Sequence, residues 1–472
     1  MDIRTLKPRR HSKTPIYLQL YLRFRDAIGE GRLSPGDRVP AVRSLASELN
    51  LARGTVESAY QILISEGYLI ARGPAGTVVS PHLDGRHGFD APRAPASAPR
   101  PAAIAKATPR PFQLGLPALD AFPRKTWVRL AGRRLRGMGD ADMDYQVPGG
   151  YMPLRKAIAA YLGVSRGIAC APEQVFVTTG YLDGLNLICH TVLSAGDKGW
   201  IEDPGYPYAR RFLELAGMRL VPVPVDEEGL CVEVGRKLSK NARFAVVTPT
   251  HQSPLGVALS LPRRLALLEW AHENQSWVIE DDYDSEFRYQ GRPLPPLKSL
   301  DRYGRVLYAG TFSKVLYPGL RLAYLVVPDD CVPKFEAAAS LLRMNSPVLQ
   351  QATVADFMEQ GHFSRHLKKM RALYGERRGY LVAALEQAFG DALQIPDRAG
   401  GLHVLGYWKG EQSDSAVAEA ANAQGLAIHA LSIWKMKGQA ADQGLLLGFA
   451  NLASAEAARG AVRRLLQAMK RT

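Results

Sequence analysis

The feature that most constrains this chain is the stretch from 81 to 110, PHLDGRHGFDAPRAPASAPRPAAIAKATPR. Large apolar side chains are scarce in it and prolines recur, so it cannot build a core and reads as a semi-extended linker. At about 3.1 Å per residue, an extended segment of this length spans several tens of Å. The chain must therefore fold as separate bodies: a compact periodic segment over 14–80, the linker over 81–110, and a long remainder over 111–472. The total of 472 residues, more than one core usually supports, agrees with that division.

Composition narrows the class. A chain with 46% hydrophobic and 22% charged residues is ordinary for a soluble globular protein. No apolar run approaches the roughly 18 residues of a bilayer span. The basic start MDIRTLKPRRHSK lacks a following apolar segment and small-residue cleavage site, so no secretory signal and a cytoplasmic location are expected, with no membrane partner. Cys170, Cys189, Cys231 and Cys331 show neither C-x-x-C spacing nor nearby histidines at ligand spacing, which predicts no metal site and no disulfide framework. Net charge is +15, of which residues 1–110 carry +8, from 17 Lys and Arg against 9 Asp and Glu. A basic excess concentrated at one end points to nucleic acid; a solvated basic arm is the plainer alternative.

Between 14 and 80 the periodicity predicts three helices and a hairpin. The first runs from about Pro15 to Gly31, with Pro at its start and Gly past its end. PGDRVP (35–40) is turn chemistry. Val42, Leu45, Ala46 and Leu49 recur at helical spacing, then Val56, Ala59, Tyr60 and Leu63 do so again across the short connection Asn50-Leu51-Ala52. Two short amphipathic helices joined so tightly read as a helix-turn-helix. EGYLIARGPAGTVVS follows as a wing hairpin around Gly73-Pro74-Ala75-Gly76. Arg43, Arg53 and Arg72 then project from the first helix of the pair, the start of the second and the wing, where guanidinium groups reach phosphates and base edges. Thr55 is placed to touch a phosphate or cap the second helix.

The segment PGDRVPAVRSLASELNLARGTVESAYQILISEGYL resembles the winged helix-turn-helix of the GntR family, in its PGDR-P, R-LA, TV-AY and EGYL elements. That resemblance implies double-stranded operator DNA as a partner. Ala52 departs from the pattern, since a Ser is common before the arginine, and with it goes a helix cap.

The remainder alternates β-branched runs, VFVTT (175–179), WVIE (277–280) and RVLYA (305–309), with helical patterns, which predicts an α/β domain with a mostly parallel sheet covered by helices. Ligands gather at the carboxyl ends of such strands. A phosphate-bearing pyridine aldehyde needs an amine, an acid at its ring nitrogen, a group on its phenolic oxygen and an anion cradle. Lys314 in YAGTFSKVLYPGLR offers the amine, with Thr311 and Ser313 supplying hydroxyls and Arg321 a bidentate phosphate donor. Asp281 in WVIEDDYDSE stands just beyond a strand, where a carboxylate can keep a pyridine nitrogen protonated, and Tyr283 can reach a phenolic oxygen. Taken alone, Glu280-Asp281-Asp282 also fits an acidic solvated loop. Gly180 and Tyr181, at a strand-turn-helix junction, aim backbone N–H groups at an anion. Tyr206 in EDPGYP is available to stack on a flat ring, and Ser253 and His251 in TPTHQSPLG are further ring contacts.

Together with YQVPGGYMPLR and LLLGFA, these segments resemble fold type I, the aspartate aminotransferase superfamily, over about 111–472. With the upstream module the chain is similar to MocR/GabR-type regulators. The resemblance implies that Lys314 carries pyridoxal 5′-phosphate as a Schiff base, with Asp281 on the pyridine nitrogen, Tyr283 on the phenolic oxygen, and Tyr206 stacked. It assigns Thr311, Arg321, Gly180 and Tyr181 to the phosphate, and brings Tyr145 from a partner subunit of a homodimer. Three departures matter: TTGYLDG places Tyr181 and Leu182 where a small hydroxyl residue and Gln are usual, Ser253 stands where aminotransferases carry an Asn, and Leu446 occupies the slot of their carboxylate-binding Arg. An isolated carboxylate is disfavoured in an apolar pocket, so the expected effector is the cofactor itself, a non-carboxylate amine or sulfonate, or a ligand held by another cation such as Arg210 or Arg343. The leading expectation is a ligand-responsive transcription regulator that is not an enzyme on this pattern; an active aminotransferase with an accessory DNA-binding module is the alternative, and a DNA-binding protein whose large domain only dimerises is a third.

Overall fold

The computed structural model describes residues 7–8, 14–83, 108–291, 294–343, 346–436 and 443–470. The chain divides into two compact units, Met1–Lys106 and Ala107–Thr472. Of the expected linker, residues 84–107 lie outside the described residues.

In the first unit, helices α1 (Ile16–Gly29), α2 (Val42–Leu49) and α3 (Arg53–Ser65) surround a core that includes Leu20, Phe24, Leu45, Val56, Tyr60 and Leu63. The apolar residues of each helix fall three and four apart, so they share one face and meet inside. Phe24 and Tyr60 pack edge to face at 5.4 Å, and the Tyr60 hydroxyl donates to the Pro40 carbonyl at 2.8 Å, a partner its polar end needs once the ring is buried. Asn50 closes α2 in a left-handed conformation, which Asn tolerates better than most residues, and turns the chain into α3. The wing is larger than the expected hairpin. Strands β1 (Arg38–Val39), β2 (Leu69–Ala71) and β3 (Thr77–Val79) form a sheet in the order β1-β3-β2, so part of the PGDRVP turn is a strand. Gly73–Ala75 form a 3₁₀ turn between β2 and β3.

The second unit holds an eight-stranded sheet. Its strands are β4 (Val175–Thr178), β5 (Lys198–Asp203), β6 (Arg219–Asp226), β7 (Gly229–Leu230), β8 (Phe244–Val247), β9 (Trp277–Asp282), β10 (Val306–Thr311) and β11 (Ala323–Val326), in the order β4-β11-β10-β9-β8-β5-β6-β7. The pairs from β10 through β9, β8 and β5 to β6 are parallel; β11 runs antiparallel to both neighbours and β7 to β6. Strands β8, β9 and β10 are buried almost throughout, as sheets covered on both faces require. A second sheet, β12 (Leu393–Gln394), β13 (His403–Trp408), β14 (His429–Ala430) and β15 (Gly444–Gly448), has the order β12-β13-β15-β14 and is antiparallel. Among the described residues no helix is long and apolar enough to cross a membrane, and no cluster of His, Cys, Asp and Glu could hold a metal ion.

The acidic run on β9 is not a solvated loop, because Glu280, Asp281 and Asp282 lie inside the strand and all are buried. Side chains alternate across a pleated strand. Asp282 pairs with Arg166 at 2.6 Å and accepts from the Tyr308 hydroxyl at 2.6 Å. Glu280 accepts from the Leu297 and Lys298 amides at 2.7 and 2.8 Å. Asp281, between them in sequence, is left for the face where Lys314 lies.

Candidate functional site

On the first unit, Arg43 in α2, Arg53 at the start of α3 and Arg72 at the wing are all exposed, and none has a carboxylate at ion-pair distance among the described residues. Thr55 lies in the first turn of α3, and its amide donates to the Ala52 carbonyl at 3.0 Å. Arg38 on β1, which the turn reading passed over, is exposed beside the wing: a Cβ on Gly76 would come within 2.8 Å of its Nε. Four arginines thus line the helix pair and wing without internal compensation, which is what a phosphate-tracking surface needs.

In the second unit the strand-end loops bring the expected pocket residues together. Lys314 follows β10 in a half-buried turn, and its Nζ donates to the Gly115 carbonyl at 3.0 Å. Burial lowers its pKa, while Asp284 and Asp281 act to raise it. Asp281 is 8% exposed, and burial, then Asp282, push its carboxyl up to about 8 against the opposing pull of Lys314. Thr311 ends β10 and its hydroxyl accepts from the Ser313 amide at 3.1 Å. Tyr283 meets His251 Nδ1 through its hydroxyl at 3.0 Å, and the same Nδ1 lies 3.1 Å from Asp284 Oδ1. Burial and Asp284 raise the Tyr283 pKa, and the Ser253 hydroxyl opposes them. Tyr206 caps the helix Pro207–Leu215 with its ring half-buried, 6.4 Å from Tyr181 and 6.2 Å from Trp434.

The phosphate end of the pocket rests on the helix Tyr181–Val192. Gly180, at φ +146, precedes it in backbone that a side chain rarely adopts, and an added Cβ would stand 3.3 Å from the Arg321 guanidinium. Arg321 itself is held at φ +52 after the 3₁₀ turn Pro318–Leu320. Strain of this kind at a ligand clamp fits the pattern in which function, not folding, selects the conformation. The amides of Gly180 and Tyr181 donate to no acceptor among the described residues, although Asp183 takes the Thr179 amide at 2.8 Å in the same turn. The Tyr181 hydroxyl is buried and faces Asp281, and burial first, then Asp281, raise its pKa. A lysine amine resting on a backbone carbonyl, a buried acid, a buried phenol beside it and a glycine-lined guanidinium fit the separate needs of a pyridine ring, an aldehyde and a phosphate.

Tyr145 and the slot of the absent arginine remain. Tyr145 is 85% exposed, with the Arg343 guanidinium 5.6 Å from its ring centroid, and within one chain it touches none of the pocket residues named above. Leu446 lies on β15 opposite Leu405 and His429, fully buried in an apolar cluster with Leu255, Val257, Leu431 and Trp434, against which Tyr206 and Leu114 pack. Arg210, one candidate substitute for the absent arginine, is engaged with the Lys435 carbonyl at 3.3 Å. Sequence reasoning also missed Asp284, Glu202 and His403. Glu202, buried and pushed up to about 7, accepts from the Thr248 hydroxyl at 2.6 Å and from Gln252 at 3.1 Å. His403 Nε2 donates to the Pro254 carbonyl at 3.0 Å, and burial, then His251, drive its pKa down to about 4. Glu202 lies in the EDPGY motif and Asp284 in WVIEDDYDSE, whereas His403 falls in no motif quoted above.

Comparison with known proteins agrees with this geometry. Residues 16–79 match the family of bacterial regulatory proteins, gntR family, and residues 117–442 match aminotransferase class I and II. The probable rhizopine catabolism regulatory protein MocR of Rhizobium meliloti is 36% identical over 94% of this chain and 92% of its own length. The pyridoxine biosynthesis transcriptional regulator PdxR of Corynebacterium glutamicum is 33% identical over 93% of both chains. Among solved structures, the α-aminoadipate aminotransferase LysN of Thermus thermophilus, complexed with N-(5′-phosphopyridoxyl)-L-leucine, is 31% identical with a TM-score of 0.69, covering 76% of this chain and 91% of that one. A winged helix-turn-helix joined to an aminotransferase fold defines the class: a DNA-binding protein built on a pyridoxal phosphate-binding domain. The chain belongs to the MocR-type family of GntR transcription regulators.

Proposed function

We propose that this protein is a cytoplasmic, homodimeric regulator that binds operator DNA through residues 14–80, and that occupancy of the Lys314 pocket sets its affinity for that DNA. The observation that carries the reading is the coexistence of an uncompensated arginine surface, Arg43, Arg53 and Arg72, with a pocket whose acid, amine and phosphate groups fit pyridoxal 5′-phosphate while Leu446 leaves the carboxylate slot apolar. When bound, the cofactor supplies an aldehyde that captures primary amines and a ring that withdraws electrons. The chain's own residues do the rest. Lys314, its ammonium disfavoured by burial, would present its amine to that aldehyde. Asp281 holds a proton at the ring nitrogen, Tyr283 binds the phenolic oxygen with Ser253 beside it, and Tyr206 covers the ring. Gly180, Tyr181, Thr311, Ser313 and Arg321 hold the phosphate.

Tyr145, exposed in one chain, serves the pocket of the partner in the dimer. The linker over 81–110 lets two heads reach spaced half-sites. An amine effector, or the cofactor itself, shifts the equilibrium between arrangements of different DNA affinity. Turnover as an aminotransferase is disfavoured by Leu446, because nothing on β15 pairs with an α-carboxylate. The test is direct: amino donors offered with a keto acid give no turnover at ordinary enzyme rates, while the cofactor changes operator affinity. Sustained turnover with cofactor-independent DNA binding would overturn the proposal.

A further inference from the structure

A cavity of about 170 Å³ lies beside the Lys314 pocket, built by the loop after β8, the loop after β9 and residues 397–401 before β13. None of the residues proposed to hold the cofactor lines it; His251 forms part of its wall. Fourteen buried side-chain nitrogen and oxygen atoms among the described residues lack a hydrogen-bond partner, and five of them belong to this one lining: Thr250 Oγ1, Asp284 Oδ2, Ser285 Oγ, Arg288 Nε and Arg398 Nε. Thr250 is 8% exposed and Asp284 1%. Buried polar groups are satisfied almost everywhere in native proteins, so such a concentration marks a place that a polar ligand completes.

The chemistry of the five atoms is specific. Asp284 uses Oδ1 for His251 and leaves Oδ2 as an anionic acceptor. Arg398 is held by Glu227 through two contacts of 2.7 and 3.0 Å, whereas Arg288 has no carboxylate at ion-pair distance among the described residues. An open carboxylate and an open guanidinium therefore face one small space, with two hydroxyls able to donate or accept. We propose that this cavity binds a small zwitterion, its ammonium on Asp284, its oxyanion, a carboxylate or sulfonate, on Arg288, and Thr250 and Ser285 completing the shell. The volume suits a molecule of a few heavy atoms, below the roughly 300 Å³ at which drug-sized pockets begin.

The site deepens the regulatory reading and rests on it for its consequence. His251 Nδ1 is shared between Asp284 and the Tyr283 hydroxyl. A ligand drawing on Asp284 changes the hydrogen bond open to Tyr283, so zwitterion and cofactor affinities are linked, and linkage is reciprocal. His251 is thus a positioning residue between the two ligands.

Calorimetric titration of the cofactor-free full chain with glycine, β-alanine and taurine tests the site. At least one should bind, and binding should persist in Lys314→Ala, since neither proposed partner group is on the lysine. Asp284→Asn and Arg288→Gln should each weaken it by about 10-fold or more, the loss of one charged hydrogen bond. Circular dichroism checks each fold, and Arg288→Gln, on a half-buried side chain, carries the test if Asp284→Asn does not fold. Absence of binding by all three up to about 10 mM, or binding abolished by Lys314→Ala, would overturn the proposal. Failure of the regulatory reading appears elsewhere, as DNA binding indifferent to cofactor, which this titration does not measure.

Discussion

Replacing Asp281 by Asn removes one ionisable group from a strand position that is 8% exposed and leaves its size almost unchanged. Without cofactor, burial and Asp282 hold this carboxyl near a pKa of about 8, far above the roughly 3.9 of an unfolded chain. The folded state binds the proton more tightly, so the stability this group contributes is complete below about pH 3.9 and is lost as pH rises towards 8. At 1.36 kcal/mol per pH unit, the three units between pH 5 and pH 8 correspond to about 4 kcal/mol. Asn has nothing to ionise. Glu202, Glu280 and Glu286, each pushed up to about 7, titrate in both proteins, so the comparison isolates Asp281 together with its coupling to Glu202.

Urea unfolding of cofactor-free protein at pH 5 and pH 8, followed by tryptophan fluorescence, should show wild type losing about 4 kcal/mol more than Asp281→Asn over that range, with similar slopes. Cofactor affinity should move the other way, falling about 10-fold or more, because Asn supplies no anion to a protonated ring nitrogen. A site that destabilises its empty form for the sake of its ligand is the pattern expected of a binding residue. Equal pH dependence of the two proteins would refute the reasoning, since Asp281 would then be ionised in the empty pocket.

Other perturbations separate the two units. Lys314→Ala should keep its circular dichroism spectrum but lose the visible absorption that wild type shows with cofactor. Arg53→Ala should weaken operator binding at every sequence tested and reduce the slope of log K against log salt by about 1, read by fluorescence anisotropy. Phe24→Ala, which empties a fully buried ring position packed on Tyr60, should cost the DNA-binding unit about 3–5 kcal/mol and abolish DNA binding without changing cofactor uptake. Leu446→Arg should lower the denaturation midpoint of the large unit by an amount equivalent to about 3–5 kcal/mol, because its guanidinium would enter an apolar cluster without a partner.

Much of this was legible in the sequence where local pattern and structure coincide. The helices of the first unit follow from apolar spacing, and Asn50 marks their turn as the sequence predicts. Strand β1 was not legible, because a two-residue strand shows no period and Arg38 sits inside turn chemistry. The run Glu280-Asp281-Asp282 reads locally as surface; partners distant in sequence make its burial tolerable, Arg166 and Tyr308 for Asp282 and the Leu297 and Lys298 amides for Glu280. The strand read over 277–280 runs two residues further, to Asp282, so Asp281 lies inside β9 and not just beyond it. Leu446 was visible because it interrupts a recognisable motif. Asp284, Arg288 and Arg398 were not, since three loops distant in sequence must fold together before their unpaired atoms face one space.

The central claim joins the two units through one pocket, and operator affinity measured with and without pyridoxal 5′-phosphate tests it most directly. Using the DNA immediately upstream of its own coding region, wild type should change affinity by about 5-fold or more on adding cofactor, the low end of ordinary coupling, and Lys314→Ala should not respond. An identical dissociation constant for wild type in both conditions, with cofactor demonstrably bound, would contradict it.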